Sequence, residues 1–335
     1  MRKFNLKDHA AKRMMDLEKA GRSGEAEKKK KAPETPETRH AQTAEEYPGF
    51  RIVWSTDVGR VRKTNQDSVI IGNGLAGVAD GMGGHNAGEI ASGGLRDGLI
   101  RETEGRTPDR DTLEEAVKTV NARLFTMQEE DASLTGMGTT LTVLWPTETE
   151  MIIAQVGDSR AYLIRDGKMS QMTSDHSMVA DMVRKGILTE EQAACHPMRN
   201  YITRAVGTDD VLDVDIYTEK RETGDRWLIC SDGLYGMMTK AMLAELASIE
   251  DPEEAAEELM QTALENGGRD NISLVLMMDD AGAKEEPLSA ETHSEKTDAE
   301  ETVSGETPSE ETVSDEPAAG ESSAGDEAAE EGADE

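Results

Sequence analysis

Cysteine is scarce in this sequence of 335 residues, where only Cys195 and Cys230 occur. Two cysteines do not supply the framework of disulfides that holds small secreted proteins together. No apolar run approaches the roughly 18 residues that a membrane-spanning helix needs, and the sequence lacks the apolar stretch of a secretory signal. These absences predict a cytoplasmic protein with no membrane span.

Positive charge is in the minority, because 36 Lys and Arg stand against 69 Asp and Glu, giving a net charge of −33. Nucleic-acid backbones are bound by basic faces, so this balance argues against a nucleic-acid partner. The four lysines at 28–31 are too few and too local to reverse it.

Several catalytic patterns are also absent. A cysteine-based phosphatase needs an arginine six positions after its cysteine, but Tyr201 and Gly236 stand there. There is no Gly-x-x-x-x-Gly-Lys phosphate loop and no Gly-x-Ser-x-Gly nucleophile elbow. None of the six histidines forms a pair spaced to bind a metal from one helix face. These gaps exclude nucleotide hydrolysis on a P-loop, serine esterase chemistry and a helical zinc site.

Composition divides the chain into three parts. Residues 1–47 are charged and contain Pro-Glu-Thr repeats, which predicts a flexible N-terminal extension. Residues 279–335 hold 21 Asp and Glu against two Lys, with no aromatic residue, and such a segment cannot bury enough apolar surface to fold. We therefore expect one folded domain at 48–278, followed by a disordered acidic tail.

Short β-branched runs bounded by Gly, Asp and Pro predict strands at 50–59, 67–72, 75–80, 139–146, 150–159, 160–170, 211–220, 225–233 and 271–279. Helical patterns fall at 87–101, 111–130 and 252–266. Because the strands come in runs, they favour an α+β fold of sheets flanked by helices over a doubly wound parallel sheet. The polar stretch 174–205 reads as a flap inserted between two strand groups.

Five aspartates lie next to these predicted strands: Asp67, Asp80, Asp158, Asp232 and Asp270. One such acid is usually a turn residue. Five of them, most with glycine beside them and without a comparable set of His or Cys, indicate a shared site, because converging carboxylates repel each other unless cations neutralise them.

Oxygen-only ligands favour hard ions such as Mg²⁺ or Mn²⁺ over zinc. A structural calcium site is the weaker alternative, since the spacing of an EF-hand loop is absent. Arg62 lies five residues before Asp67, and its guanidinium matches the oxygens of a phosphate group. Taken alone, Arg62 would be interpreted as a solvated surface residue.

In order along the chain, the stretches TDVGRVRKTNQDS, VADGMGGHNAGEIAS, GMGTTLT, VGDSRAYLIRDGKMSQMTSDHS, CSDGLYGMM and GRDNISLVL resemble the metal-dependent protein phosphatase family of the protein phosphatase 2C type, in its bacterial branch. They fall within residues 50–278, which is the extent of the resemblance. The resemblance implies an antiparallel β-sandwich with helices on both outer faces, in four layers, with a small flap.

The resemblance also implies roles for individual residues around two Mn²⁺ or Mg²⁺ ions. Asp80 would bridge the metals, Gly81 would offer its carbonyl to the second, and Asp232 and Asp270 would complete the first. Asp158 would join Asp232 at a third, weaker metal site. Asp67 would hold the metal-bound water or its neighbours, and Arg62 would bind the substrate phosphate.

Two positions depart from the family pattern. Gln66 stands where an acid is common, and the loss of a charged oxygen is expected to weaken the binding of the second metal ion. Met82 stands where animal relatives have a histidine proposed as the general acid. The group that protonates the leaving alkoxide is thus left open.

The expected activity is hydrolysis of phosphoserine and phosphothreonine in proteins by a metal-activated water. The expected partners are phosphorylated proteins, among them a bacterial Ser/Thr kinase and its substrates, and the expected state is a monomer. Two alternatives compete with this interpretation. One is a degenerate, non-enzymatic scaffold, which would lack the metal acids, and the other is an anti-sigma-factor phosphatase, which shares the chemistry but acts on a different substrate.

Overall fold

The computed structural model of the protein describes residues 37–40, 47, 49–84 and 87–280. The predicted acidic tail beyond Asp280 and most of the predicted N-terminal extension lie outside the described residues. None of the helices in the described part of the chain combines the length and apolarity required for a bilayer crossing.

The described residues form twelve strands. They are β1 (Glu37–His40), β2 (Phe50–Asp57), β3 (Asp67–Gly72), β4 (Leu75–Met82), β5 (Gly138–Thr139), β6 (Leu141–Pro146), β7 (Glu150–Val156), β8 (Arg160–Arg165), β9 (Lys168–Gln171), β10 (Asp215–Lys220), β11 (Arg226–Cys230) and β12 (Ile272–Asp279).

Seven α-helices accompany these strands in the same described ranges. They are α1 (Ala87–Thr103), α2 (Arg110–Glu130), α3 (Met178–Arg184), α4 (Glu190–Ala194), α5 (Asp232–Tyr235), α6 (Lys240–Ala247) and α7 (Pro252–Glu265). Helix α7 begins as its sequence predicts, with the Asp251 carboxylate accepting hydrogen bonds from the backbone N–H groups of Glu253 and Glu254 and with Pro252 in the first turn.

The strands form two antiparallel sheets. The first has the order β1-β2-β12-β11-β8-β9, and the second has the order β10-β7-β6-β4-β3, with β5 paired to β4 outside this path. Strands β8 and β9 are joined by Asp166-Gly167, whose φ angles of 51° and 72° are those of the tight turn that suits the right-handed twist of a hairpin.

Three apolar layers hold the sheets and helices together. Between the sheets lie Ile52, Val78, Ile153, Trp227 and Val275. Helices α1 and α2 cover the outer face of the second sheet, and α5, α6 and α7 cover the outer face of the first. The four-layer α-β-β-α sandwich inferred from the sequence is confirmed.

Strand β12 shows why the central strands are continuous apolar runs in the sequence. Val275 and Met277 face the other sheet, whereas Leu274 and Leu276 face the helices. Because both faces of the strand are buried, the usual alternation of apolar and polar residues is lost.

Some elements differ from the sequence-based prediction. The strand predicted at 139–146 is broken at Thr140, where the chain leaves β5 for β6. Residues 232 and 233, predicted as the end of the strand 225–233, belong to the short helix α5, and helix α6 was not predicted. Residues 37–40, in the extension predicted to be flexible, pair with β2 through their backbone.

Tyr47 also lies before the predicted start of the folded domain, yet it is 2% exposed and packs between the sheets. Its hydroxyl donates to the carbonyl of Leu75 at 2.6 Å and accepts from the N–H of Gly72 at 2.7 Å. The core therefore begins at least one residue before 48, while the other predicted domain bounds stay predictions.

Replacing Tyr47 with Phe tests this attachment. The change leaves the Gly72 N–H and the Leu75 carbonyl without their hydroxyl partner, so we expect a loss of about 1–3 kcal/mol of unfolding free energy in urea titrations. The same change at Tyr201, which is 62% exposed, is the control and should have no measurable effect. Equal stabilities of the two variants would contradict this role of Tyr47.

Candidate metal centre

Strands β3 and β4 place two carboxylates directly across from each other. In their antiparallel register Asp67 is the cross-strand partner of Asp80. Like charges at directly opposed positions destabilise a sheet. The pairing therefore costs stability unless something positive compensates it.

Asp80 lies inside β4, at a change of strand partners. Ala76–Val78 pair with β6, whereas Gly81 and Met82 pair with β5. At the break, the Asp80 N–H donates to the Thr140 hydroxyl at 2.9 Å, and the Asp80 carbonyl accepts from the Thr140 N–H at 2.9 Å. These two bonds fix the backbone that carries the carboxylate.

The remaining acids come from chain segments at the same end of the sandwich. Asp232 is the first residue of α5, directly after β11, and Asp270 precedes β12. Asp158 lies in the connection from β7 of the second sheet to β8 of the first. The sequence therefore predicted correctly that these acids converge, although they come from both sheets.

The electrostatics identify Asp80 as the hub of the cluster. Burial of its carboxyl is the largest cause that raises the Asp80 pKa well above its usual range, and the charges of Asp67, Asp232, Asp158 and Asp270 add to this in that order. All four other acids therefore act on Asp80.

Burial raises the Asp67 pKa to about 7, against the hydrogen bond from Ser231, and the charges of Asp232 and Asp270 raise it further. The Ser231 hydroxyl donates to Asp67 Oδ2 at 2.8 Å across the two sheets. The second oxygen, Asp67 Oδ1, is buried and has no hydrogen-bond partner. A buried carboxylate oxygen left in this way is costly unless a ligand satisfies it.

Two further acids are perturbed in the same direction. Burial, followed by the charges of Asp232 and Asp175, raises the Asp158 pKa to about 8. Burial and the charge of Asp270 raise the Asp232 pKa to about 6, while the positive charges of Arg62, Arg160 and Arg199 lower it. Arg199 belongs to the predicted flap, so this segment brings a positive charge near the acids.

Arg62 lies at the mouth of the cluster, as the sequence predicted. Its Nη2 donates to Asp270 Oδ2 at 2.7 Å, and its side chain is 48% exposed. The guanidinium is thus anchored on one side by a cluster carboxylate and open to solvent on the other.

Asn271 holds the loop that carries Arg62, a role that sequence reasoning missed. Its side-chain amide donates to the carbonyls of Val58 and Thr64 at 3.0 and 2.9 Å, and its oxygen accepts from the Gln66 N–H at 2.9 Å. Asn271 is 4% exposed. The stretch GRDN contained the residue, but only its aspartate suggested chemistry.

Gly81 allows close packing of backbone beside Asp80. A Cβ on Gly81 would lie 2.1 Å from the carbonyl oxygen of Gly88 in α1 and 2.5 Å from that of Gln66, so no side chain fits there. The Gly81 N–H donates to the Gln66 carbonyl at 3.1 Å. The ligand role of the Gly81 carbonyl stays a prediction.

Arg160 organises a second set of contacts that the sequence did not reveal. Its guanidinium forms a two-pronged ion pair with Asp175, with Nη2 2.7 Å from Oδ2, and stacks 3.7 Å from the ring centroid of Tyr235. The Tyr235 hydroxyl donates to the Asp158 carbonyl at 3.0 Å. The loop of Asp158, the helix of Asp232 and the start of the predicted flap are thereby joined.

The predicted flap at 174–205 contains the short helices α3 and α4. Its two ends meet where the Thr203 N–H donates to the His176 carbonyl at 2.8 Å. The His176 ring accepts the Gly157 N–H at Nδ1, 3.0 Å away. The base of the flap is therefore fixed beside Asp158.

The donor set fits divalent cations that prefer oxygen. It consists of mutually repelling, enclosed carboxylates with one buried oxygen, Asp67 Oδ1, left without a partner. Within the described residues, no three His, Cys, Asp or Glu side chains are already arranged to hold a metal ion. Repulsion among unneutralised carboxylates and the attachment of Asp270 to Arg62 both oppose such an arrangement.

Known proteins of one family are similar to this chain. Residues 46–182 match the family described as Protein phosphatase 2C. The serine/threonine protein phosphatase PstP of Mycobacterium tuberculosis H37Rv is 37% identical over 230 residues, covering 68% of this chain and 44% of PstP. The serine/threonine phosphatase stp of Listeria innocua is 36% identical over 240 residues, covering 66% of this chain and 93% of the relative.

Solved structures give the same result. A crystal structure of M. tuberculosis PstP aligns with a TM-score of 0.64 at 36% identity, covering 68% of this chain and 98% of that one. The PstP catalytic domain in complex with two manganese ions aligns with a TM-score of 0.64 at 35% identity, covering 68% and 97%. The chain belongs to the protein phosphatase 2C family, and it spans less than half the length of the mycobacterial relative.

The raised pKa values predict how the metal-free protein responds to pH. Because the folded state holds Asp67 and Asp158 at pKa values of about 7 and 8, it binds more protons than the unfolded chain between about pH 4 and 8, so its stability falls as pH rises. We expect Tm in EDTA to drop by roughly 5 °C from pH 6 to pH 8.

Asp67→Asn removes one of the two carboxyl groups whose raised pKa values produce this slope and should flatten the pH dependence, whereas Asp97→Asn on the exposed surface of α1 should not. Differential scanning calorimetry of both variants measures the slopes. Identical slopes in the two variants would show that the cluster does not govern the pH response.

Proposed function

We propose that this protein hydrolyses phosphoserine and phosphothreonine in phosphorylated proteins, using two Mn²⁺ or Mg²⁺ ions. Asp80, Asp232 and Asp270 would hold these ions together with the Gly81 carbonyl, and Asp158 with Asp232 would hold a third ion more weakly. The observation that carries the proposal is the enclosed cluster of acids from both sheets, centred on Asp80, beside the half-exposed guanidinium of Arg62.

When bound, a pair of divalent cations lowers the pKa of a coordinated water and neutralises charge on a phosphoryl group. The protein's own residues then have distinct tasks. Arg62 binds two phosphate oxygens with its planar fork. Asp67, fixed by the Ser231 hydroxyl at 2.8 Å, keeps one buried oxygen without a partner and would orient the attacking water or its neighbours.

The Ser231–Asp67 contact and the backbone bonds between Asp80 and Thr140 restrict the motion of these carboxylates, which favours a preorganised site. Met82 has no group that titrates, so it cannot protonate the leaving alkoxide. The proposed reaction forms no phosphoenzyme, because it needs no side-chain nucleophile.

The same proposal includes the biological setting. The bacterial relatives named serine/threonine phosphatases support a role in which the protein opposes a Ser/Thr kinase by dephosphorylating the kinase or its substrates. The acidic charge balance supports a function without a nucleic-acid partner. Both cysteines are free, which fits a reducing cytoplasm. We further propose that the protein acts as a monomer. A non-enzymatic scaffold is disfavoured because Asp80, Asp158, Asp232 and Asp270 are all present.

Asp232→Asn tests the metal centre. The neutral amide is a poor ligand for a hard cation and has nearly the same volume, so we expect turnover of p-nitrophenyl phosphate and of a phosphothreonine peptide in Mn²⁺ to fall by more than about a hundredfold. Calorimetric titration with Mn²⁺ should show loss of the tighter sites, and circular dichroism should be unchanged. Activity that survives this change, or survives EDTA, would overturn the proposal. Asp97→Asn is the matched surface control.

Arg62→Lys tests the phosphate grip separately. Lysine keeps the charge but loses the two-pronged geometry, so we expect KM for the phosphothreonine peptide to rise about tenfold, a loss of roughly 1.4 kcal/mol, with a smaller effect on kcat. Arg60→Lys, in the same loop, is the control. A fall in kcat at constant KM would instead place Arg62 outside substrate binding.

A further inference from the structure

Four basic residues lie beside the mouth of the acid cluster, and we call them the basic rim: Arg60, Arg62, Lys63 and Arg269. The first three belong to the loop 58–66, and Arg269 directly precedes Asp270 in the loop 266–271. The two loops are in contact, because the Arg60 N–H donates to the Gly268 carbonyl at 2.7 Å. The rim is therefore one continuous surface around Arg62, the residue to which the proposed function gives the substrate phosphate.

The backbone beneath the rim is held by several close contacts. The Asn271 amide donates to the carbonyls of Val58 and Thr64 at 3.0 and 2.9 Å. A Cβ on Gly59 would lie 2.2 Å from the carbonyl oxygen of Asp270, so the two loops meet backbone to backbone. Because the loops are already ordered in this way, a ligand that binds the rim pays little to order the backbone.

Most of the positive charge on the rim is uncompensated. Arg62 pairs with Asp270, but among the residues that the structure describes no ion pair involves Arg60, Lys63 or Arg269. All three residues are exposed. Their charges are therefore accessible to an anion that arrives from solution.

The rim is an exception in an acidic domain. Residues 49–280 hold 22 Arg and Lys against 41 Asp and Glu, whereas residues 58–66 hold three basic residues and no acid. A long polyanion such as a nucleic acid needs an extended basic face and is repelled by most of this surface. A short anionic segment that reaches only the rim is attracted.

The spacing along the loop matches a peptide that carries acids close to its phosphorylated residue. Arg60 is two residues from Arg62 and Lys63 is adjacent to it, so their backbone positions lie within about 7 Å of Arg62. In an extended substrate, the residues one or two positions from the phosphorylated residue lie within the same distance of it. When Arg62 holds the phosphate, the neighbouring side chains of the substrate therefore reach the flanking bases.

We propose that the basic rim selects phosphorylated segments in which acidic residues flank the phosphoserine or phosphothreonine. The inference rests on the proposed phosphatase function and specifies its substrate class. Arg60, Lys63 and Arg269 act on the flanking carboxylates and not on the reacting phosphate, so they lower KM for acidic substrates and leave kcat nearly unchanged. Each exposed ion pair contributes little by itself, and the preference comes from several pairs together.

Fluorescence anisotropy with two labelled peptides tests this preference without turnover. Both peptides carry a non-hydrolysable phosphonate analogue of phosphothreonine, and the two positions on each side of it are glutamate in one peptide and glutamine in the other. In Mn²⁺ and low salt, we expect the glutamate peptide to bind about fivefold more tightly, as several weak ion pairs would give. In roughly 0.5 M NaCl the ratio should approach one, because salt screens exposed charges.

Two double variants assign the preference to the rim. Arg60→Gln/Arg269→Gln should lower the affinity ratio to about two or less. Arg101→Gln/Arg106→Gln is the matched control, because it removes the same amount of charge from exposed residues. These two residues lie at and just after the C-terminal end of α1, which packs against the end of β3 distant from the acids. The control should leave the ratio unchanged, and circular dichroism should show that both variants are folded.

Three results would overturn the proposal. The first is equal affinity of the wild-type protein for the two peptides. The second is an equal fall of the ratio in both double variants, because net charge and not the rim would then be responsible. The third is tighter binding of a single-stranded DNA oligonucleotide of the same charge as the glutamate peptide, which would make the rim a nucleic-acid surface.

Steady-state hydrolysis separates this inference from the proposed function. With phosphothreonine in the same two sequences, KM of the wild-type protein should be about fivefold lower for the glutamate peptide, at similar kcat. Hydrolysis of both peptides with the same KM would leave the proposed function standing and remove only the preference. Hydrolysis of neither peptide would remove the proposed function itself.

Discussion

Repulsion among enclosed carboxylates is the constraint around which this fold is organised. The register of β3 and β4 sets Asp67 opposite Asp80, and residues at the end of the other sheet add Asp232 and Asp270. Burying like charges together is unfavourable, so burial of the apolar layers must offset the free energy that the acid cluster costs. Such local conflict with folding is typical of functional sites.

The surrounding residues fix the positions of these carboxylates but do not remove the repulsion among them. Thr140 fixes the backbone of Asp80, and Ser231 fixes one oxygen of Asp67. Arg160, through Tyr235, connects the Asp158 loop to α5. Thr140 and Ser231 carry no charge, and the positive charge of Arg160 offsets only part of the rise in the pKa values of Asp158 and Asp232, so the cluster still attracts cations.

Much of the fold was predictable because the apolar runs and their caps are local signals. The bounds of helices α1, α2 and α7 were predicted to within two residues. The hairpin at Asp166-Gly167 was predicted from the Asp-Gly dipeptide alone. The five acids were recognisable by their position beside strands. What failed depends on distant contacts: the break at Thr140 arises from Asp80, sixty residues away, and Tyr47 is buried by residues 72 and 75. No local sequence pattern indicated that the Asn271 side chain would hydrogen-bond to the loop of Arg62.

The hydrogen bonds from Asn271 to the loop of Arg62 have a thermodynamic consequence. Because one amide side chain ties residues 58, 64 and 66 to the start of β12, the backbone of the Arg62 loop is held beside Asp270, whose Oδ2 accepts a hydrogen bond from the guanidinium. An anion that draws Arg62 away frees this oxygen, and a cation on this oxygen frees Arg62. Linkage is reciprocal, so anion and cation should each raise the affinity for the other, with a single hydrogen-bonded oxygen as the coupling element.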